Sequence, residues 1–223
     1  MEGNKMKVLV FDTETTGLPT ERNASIAATE KWPHIIQISF VLYETDSCRV
    51  LLCQDHIVKL DPTTPISEES SKVHGITRSL CTRKGIPIAT AIDDFNAALQ
   101  AADCVVAHNL SFDKRMVMVE SIRLRWRQHF TRNGKGKKEY CTMKNAVKLC
   151  AIETTNAAGE KYLKYPNLTE LHQKLFNVAP KGTHDSMADV LICLRCYGMM
   201  RHDHDIAKHG CPMLKNLYRL YCV

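Results

Sequence analysis

The order of strand-like and helical segments limits the folds that this chain can adopt. Three apolar or alternating runs, at Lys7 to Asp12, Ile35 to Tyr43 and Val50 to Ile57, predict β-strands close together in sequence. Two of the joins are short enough for antiparallel pairing, whereas a fourth run at Cys104 to Ala107 follows a helical pattern over about Ile88 to Ala101. We therefore predict an α/β protein with a mixed sheet.

The second half of the chain has mainly helical patterns. Apolar residues recur at Val119, Ile122, Trp126 and Phe130, a spacing that predicts one helix within Ser111 to Phe130. Further helical patterns lie at about Thr142 to Cys150, Leu168 to Phe176 and His184 to Met200. Because no repeat and no linker composition interrupts the chain, we expect one domain over residues 1–223.

Composition excludes some classes of protein. No apolar stretch approaches the length needed to cross a bilayer, and the amino terminus lacks a secretory-signal pattern. We expect a soluble intracellular protein with no membrane partner, whose ten cysteines remain thiols. The net charge of +6 suits a polyanionic partner but does not identify one.

Asp12 and Glu14 lie at the end of the first predicted strand. Their i, i+2 spacing sends both carboxylates to the same face of an extended chain. Two like charges side by side are costly unless a cation neutralises them, and hard oxygen ligands suit Mg²⁺ or Mn²⁺. The pair therefore predicts a metal site, with a solvated acidic strand end as the alternative.

Three motifs of this chain resemble those of the DEDD exonuclease superfamily. They are Phe11 to Leu18 (FDTETTGL), His108 to Asp113 (HNLSFD) and His184 to Asp189 (HDSMAD). The histidine five positions before the last aspartate is similar to the DEDDh, or DnaQ-like, branch, which is related to the proofreading epsilon subunit of bacterial DNA polymerase III. With weaker similarities between the motifs, the likeness runs from about Val8 to Leu194.

The resemblance implies both a fold and a reaction. The fold would be RNase H-like, with a central mixed five-stranded sheet flanked by helices. The reaction would be metal-dependent 3′→5′ hydrolysis of phosphodiester bonds at the 3′ end of DNA, releasing nucleoside 5′-monophosphates with two Mg²⁺ or Mn²⁺ ions per site. Asp12 would bridge the ions, Glu14 and Asp189 would complete the first ion's site, Asp113 would act mainly through waters, and His184 would be the general base.

The acidic residues and the histidine also have ordinary structural interpretations. His184 could cap the final helix, Asp113 could interact with a helix dipole, and Asp189 could lie on the surface. Against this, the end of one strand and the starts of two predicted helices can converge on one acidic pocket. We therefore favour the catalytic interpretation.

Residues beside the motifs are candidates for substrate contacts. The resemblance implies that Thr15, Gly17 and Leu18 hold the terminal nucleotide, with Leu18 against its base. Phe112 could stack on a base, although an aromatic residue in the first turn of a helix often belongs to the core. His108 and Asn109 match the second motif and are candidate substrate contacts, and we expect Asn109 to position the substrate strand or the pocket rather than to take part in the chemistry.

Glycine alternates with lysine between Arg132 and Lys138, which predicts a mobile basic loop. Lys135, Lys137 and Lys138 could follow the phosphate backbone outside the pocket. The alternative is a solvated loop without a ligand.

Cysteines and histidines cluster near the carboxyl terminus at zinc-like separations. They are Cys193, Cys196, His202, His204, His209 and Cys211. Against zinc, Cys193 and Cys196 fall inside a predicted helix, where cysteines at this spacing often serve as small core residues. We favour the core interpretation, and the sequence does not decide whether the cluster binds zinc.

The expected substrates are single-stranded DNA or the 3′ ends of duplex DNA, and a DNA polymerase is a candidate protein partner. A ribonuclease that trims RNA ends is one alternative, since pocket geometry decides whether a 2′-hydroxyl is accepted. A non-catalytic nucleic-acid-binding scaffold with the same fold is another. The complete set of Asp12, Glu14, Asp113, His184 and Asp189 argues against the scaffold.

Overall fold

The computed structural model of the protein describes residues 6–132 and 134–222 and contains a five-stranded sheet. The strands are β1 (Lys7–Thr15), β2 (Ile35–Glu44), β3 (Arg49–Ile57), β4 (Cys104–Ala107), β5 (Thr131–Arg132), β6 (Lys135–Gly136), β7 (Lys138–Cys141), β8 (Glu153–Thr155) and β9 (Lys161–Leu163). The main sheet has the order β3-β2-β1-β4-β7, and β5–β6 and β8–β9 form separate two-stranded sheets. Strands β1 to β3 pair antiparallel, whereas β4 is parallel to both β1 and β7. The predicted mixed five-stranded sheet is confirmed.

Helices cover both faces of this sheet. They are α1 (Glu68–His74), α2 (Arg78–Lys84), α3 (Ile88–Ala101), α4 (Leu110–Arg123), α5 (Thr142–Asn145), α6 (Val147–Cys150), α7 (Leu168–Phe176), α8 (Ser186–His202), α9 (Ile206–His209) and α10 (Pro212–Cys222), with a 3₁₀ turn at Thr29–Lys31. No helix in the described parts of the chain is both long enough and apolar enough to cross a membrane.

The alternation of side chains along β1 divides the core into two layers. Leu9 and Phe11 pack against α3 and α4 on one face, whereas Val8 and Val10 pack against α8 on the other. Every residue of β2 is buried, as expected for a strand covered on both faces. Side chains further along β1 therefore also face either α4 or α8 according to their parity.

Two segments differ from their predicted structures. Helix α4 ends at Arg123 and does not continue to Phe130, because Arg125 adopts left-handed backbone (φ 57°) and the Trp126 N–H bonds to the Ser121 carbonyl. The apolar spacing was misleading, since Ile122 is 39% exposed, whereas Phe130 is fully buried only after the chain turns back.

The basic segment that we expected to be a mobile loop is paired backbone in its described part. Lys135–Gly136 pairs with Thr131–Arg132, and Lys138 begins β7, the fifth strand of the main sheet. Asn133 and the Arg132 side chain lie outside the described residues. The alternation of glycine and lysine did not indicate the short edge strand β7, because this strand pairs through backbone groups and buries little side-chain surface.

A buried ion pair fixes α8 to the elements behind it. The Arg195 guanidinium makes two 2.8 Å bonds to the Asp205 carboxylate, lies 3.8 Å from the centre of the Phe176 ring and bonds to the Tyr218 hydroxyl at 3.0 Å. Helix α8 is thereby held against α7 and α10.

We predict that Asp205→Ala lowers the free energy of unfolding by about 3 kcal/mol, because it leaves the Arg195 charge buried without its partner. Denaturant unfolding measures the change. Lys208→Ala is the matched control, since Lys208 is exposed and 3.9 Å from the same carboxylate, and it should change stability by less than about 0.5 kcal/mol. Equal effects of both substitutions would contradict this account of α8.

Candidate active site

The end of β1 brings two carboxylates to the α8 face of the sheet. Asp12 and Glu14 have the same parity as Val8 and Val10, and Asp189 lies in the first turn of α8. Carboxylate oxygens of these three residues lie within 4.8 Å of one another, and all three residues are partly buried. Carboxylates from opposite ends of the sequence therefore meet at one place in the fold.

Asp113 approaches from the opposite layer. The register of β1 with β4 extends only from Val8 to Val10, so β1 continues past the end of β4. The free Thr13 N–H bonds to Asp113 Oδ1 at 3.1 Å, and the Thr13 hydroxyl bonds to the same oxygen at 2.8 Å. Asp113 is only 3% exposed and lies in the first turn of α4. The fourth acidic residue is thus anchored directly behind the other three.

The amino terminus of α8 is fixed to the strands that carry the site. The Asp185 carboxylate caps the helix by accepting from the N–H groups of Met187 and Ala188, both at 3.1 Å. The Ser186 hydroxyl donates to the Asp12 carbonyl at 2.8 Å, and the Ser186 backbone N–H donates to Gln37 Oε1 at 3.3 Å. Gln37 and Ser186 are positioning residues that the sequence analysis did not identify, since neither residue type signals such a contact.

His184 lies next to the acidic group but does not cap the helix. It has left-handed backbone (φ 72°), and its N–H donates to Asp189 Oδ2 at 3.1 Å. His184 is exposed to solvent. The predicted alternative, a helix cap, is wrong because Asp185 fills that role.

The electrostatics of the site favour a bound cation. Burial, followed by repulsion from Asp113, Asp189 and Glu14, raises the pKa of Asp12 well above its ordinary value. Burial and the neighbouring aspartates raise the pKa of Glu14 to about 8. Burial also raises the pKa values of Asp113 and Asp189. A clustered set of carboxylate oxygens fits a hard divalent ion, which would offset this repulsion.

A pocket of about 490 Å³ opens beside the carboxylates. Thr15, Gly17, Leu18 and Phe112, which we predicted as substrate contacts, all line it, and Leu18 is 80% exposed. The opposite wall comes from α1 and the residue before it: Ser67, Glu69, Ser70, Val73 and His74. These wall residues were not predicted, because nothing in the local pattern of α1 indicates which segment it faces.

His74 fixes the pocket wall to β1. Its Nδ1 accepts from the Ile76 N–H at 2.9 Å, and its Nε2 lies 3.3 Å from the Thr15 carbonyl. Because a carbonyl can only accept, Nε2 carries the proton in a neutral ring. Burial lowers the pKa of His74, in agreement with a neutral ring.

His108 and Asn109 lie where β4 leads into α4. His108 Nδ1 is 3.0 Å from the Thr142 hydroxyl and Nε2 is 3.1 Å from the Pro166 carbonyl, so both ring nitrogens have protein partners. Burial lowers the pKa of His108 to about 4. Asn109 has left-handed backbone (φ 69°), which turns the chain into α4 ahead of Asp113. These contacts fix the turn from β4 into α4, and the expected role in positioning the substrate strand or the pocket stays a prediction.

The predicted basic contacts lie at the other end of the sheet. Lys138 pairs with Cys104, which pairs with Val8, four residues before Asp12 on β1. This register separates Lys138 from Asp12 by roughly 13 Å along the strand direction. Lys137 Nζ bonds to the Ala102 carbonyl, and Lys135 is exposed on the β5–β6 hairpin. Their contact with substrate stays a prediction.

The carboxyl-terminal cysteines and histidines do not form a compact ligand set within the described ranges, where Asp12, Glu14 and Asp189 are the group of close metal-ligand atoms. Cys193 and Cys196 are buried in α8, and burial raises the pKa of both thiols. His202, His204, His209 and Cys211 surround the end of α8 and the start of α10. The described residues therefore give no support to a zinc site in this cluster.

Comparison with known proteins gives one family and a set of similar structures. The sequence model RNase_T, described as Exonuclease, matches residues 9–197. Among curated proteins, none matches the chain significantly. The sheet and its flanking helices agree with the RNase H-like exonuclease fold.

Solved structures of Exonuclease I share this fold. One, described in terms of processivity, matches 97% of this chain and 43% of its own, at 15% identity and a TM-score of 0.67. E. coli Exonuclease I with a dT13 oligonucleotide matches over 89% and 42%, at 16% identity and 0.66. A zinc-bound complex of the E. coli enzyme with single-stranded DNA matches over 89% and 42%, at 15% identity and 0.65. This chain thus spans less than half the length of these proteins.

We predict that metal-free protein loses stability as the pH rises from about 4.5 to 8, because folding raises the pKa of Glu14 across that window and the ionised form is disfavoured. Glu14→Gln removes this ionisation, so the wild type should fall relative to the variant by about 2 kcal/mol, or roughly 4–8 °C in Tm. Thermal unfolding in chelator measures both proteins. Mg²⁺ should restore the wild type at pH 8, and parallel curves for the two proteins would contradict the prediction.

Proposed function

This chain belongs to the RNase_T exonuclease family, and we propose that it is a metal-dependent 3′→5′ exonuclease of the histidine-bearing DEDDh branch. The observation that carries the proposal is the meeting of Asp12, Glu14 and Asp189 within 4.8 Å, with Asp113 behind them. The proposed reaction is hydrolysis of the terminal phosphodiester bond, which releases a nucleoside 5′-monophosphate.

The carboxylates supply the metal ligands in this proposal. The Asp12 carboxylate lies close to those of Asp113, Asp189 and Glu14, and these four residues would hold Mg²⁺ or Mn²⁺ ions, two of them as the resemblance implies, with Asp12 as the shared ligand and Asp113 as a more distant one. Such ions lower the pKa of water and stabilise the charge that builds up on a scissile phosphate. The protein contributes the fixed spacing of its oxygens, set by β1, α4 and α8.

His184 would take the proton from the attacking water. Its backbone is tied to Asp189, so its position relative to the carboxylates is fixed, while its exposure leaves the ring accessible to water. A neutral imidazole is suited to accept a proton near neutral pH.

The pocket beside the carboxylates would hold the terminal nucleotide. Leu18 and Phe112 offer apolar surfaces to a base, and Thr15 and Gly17 lie in the same lining. A pocket of about 490 Å³ is within the usual size range of a small-ligand site, which suits one nucleotide.

DNA is the proposed substrate, in single strands or at the 3′ ends of duplexes. The solved complexes of Exonuclease I with single-stranded DNA support this choice. RNA is the alternative, and a polymerase partner, suggested by the resemblance to the proofreading subunit of DNA polymerase III, stays a prediction. One preparation should be tested on single-stranded DNA, duplex DNA with a mispaired 3′ end and single-stranded RNA. Mononucleotide release with Mg²⁺, abolished by chelator, supports the proposal, whereas binding without release supports a scaffold.

We predict that Asp12→Asn and Asp189→Asn each lower turnover by more than about 10²-fold, because each removes a charged metal ligand. Both proteins should stay folded and can gain thermal stability as repulsion is relieved. Asp93→Asn, an exposed acid on α3, is the control and should keep the wild-type rate. A variant of Asp12 or Asp189 that keeps more than a tenth of the rate shows that its residue is wrongly assigned.

We predict that His184→Ala lowers the maximal rate by about 10²- to 10⁴-fold while metal and substrate binding remain, the usual effect of removing a general base. Steady-state assays at saturating substrate measure the maximal rate, and titrations with metal and with substrate measure the binding. His209→Ala, an exposed histidine away from the site, serves as control. Loss of metal affinity in His184→Ala would indicate a structural role instead.

A further inference from the structure

We propose that a groove between α4 and α5, containing Arg115 and Lys144, binds the phosphate backbone of the substrate strand on the 5′ side of the scissile bond. This inference rests on the proposed function and adds a binding surface that the sequence motifs do not contain. The groove has a volume of about 720 Å³.

The groove lies along a face of α4 that is next to the face carrying Asp113. Ser111, Arg115 and Met118 follow an i, i+4, i+7 spacing and line the groove. Phe112 lines the nucleotide pocket, and Asp113 faces the carboxylates. A strand whose last nucleotide occupies the pocket can therefore pass around the start of α4 into the groove.

The far wall lies at the same end of the sheet as the carboxylates. Cys141, the last residue of β7, pairs with Ala107, the last residue of β4, and α5 begins immediately afterwards. Lys144 is on α5 and exposed to the groove. The opposite rim is formed by Asn23, Ala24 and Ile26, from the segment that follows Leu18.

The cations of the groove differ in their pairing. Lys114 is neutralised by Glu139 at 2.5 Å. Arg115 and Lys144 are exposed, and neither has an acidic side chain within ion-pair distance among residues 6–132 and 134–222. The groove thus offers two cations that a phosphate backbone can use.

A physical requirement favours cations at this place. The cluster of carboxylates repels a polyanion, and ions held there would offset that repulsion mainly at the scissile phosphate. Affinity for the rest of the strand must come from neighbouring positive charge. The basic β5–β6 hairpin is at the far end of the sheet from the carboxylates, whereas Arg115 and Lys144 are at the end that carries them.

The test compares the double variant Arg115→Gln/Lys144→Gln with Arg49→Gln/Lys84→Gln, which removes one exposed arginine and one exposed lysine elsewhere. Each protein is assayed with Mg²⁺ on a 12-nucleotide DNA strand and on a dinucleotide too short to reach the groove. Binding of the 12-nucleotide strand is measured separately in chelator by fluorescence anisotropy over a range of salt concentrations.

We expect the groove variant to raise both the KM and the Kd for the long strand about tenfold and to lower the salt slope by about 1.4, the value for two phosphate contacts on a single strand. The kcat on the long strand and the kinetics on the dinucleotide should stay at wild-type values, as should all values for the control variant.

Three results would overturn the groove proposal: an unchanged Kd and salt slope, an equal loss in the control variant, or a loss that appears only when Lys135 and Lys138 are neutralised instead. If the wild type hydrolyses neither substrate, the proposed function fails, and the binding measurements in chelator still decide the groove.

Discussion

The burial of several carboxylates next to one another is the constraint on which the rest of this structure depends. Burial raises the pKa values of Asp12, Glu14, Asp113 and Asp189, and repulsion from neighbouring carboxylates adds to the effect. Such a group is unfavourable for the free protein. The cluster is maintained because each carboxylate is fixed by a strand or helix with its own source of stability, and bound cations would relieve the repulsion.

Specific contacts fix the elements that carry these carboxylates. Strand β1 is buried between both core layers, the free Thr13 N–H beyond the end of β4 holds Asp113, and Ser186 ties α8 to the Asp12 carbonyl. Behind α8, the Arg195–Asp205 pair stabilises the helix that carries Asp189. The same arrangement places Arg115 and Lys144, which have no acidic partner among the described residues, in the groove beside α4, so attraction for a polyanion and repulsion at the site lie next to each other.

The sequence predicted those features that depend on local spacing. The i, i+2 carboxylates on β1 and the five-residue step from His184 to Asp189 place side chains by backbone geometry alone, and the structure brings them together. Features that depend on distant partners were missed. The edge strand β7 has little apolar character, α4 ends because Arg125 turns the backbone, and the wall from α1 reaches the pocket only through tertiary packing.

The most direct test of the account is hydrolysis of an oligonucleotide whose terminal phosphodiester carries sulfur in place of one non-bridging oxygen, compared in Mg²⁺ and Mn²⁺. Mg²⁺ binds sulfur poorly and Mn²⁺ tolerates it better, so a phosphate contacted by metal ions at the carboxylates should be cleaved slowly with Mg²⁺ and recover with Mn²⁺. The unmodified strand should show little difference between the two ions. Equal sulfur effects in both metals, for each diastereomer, would contradict the claim that ions held by these carboxylates act on the scissile phosphate.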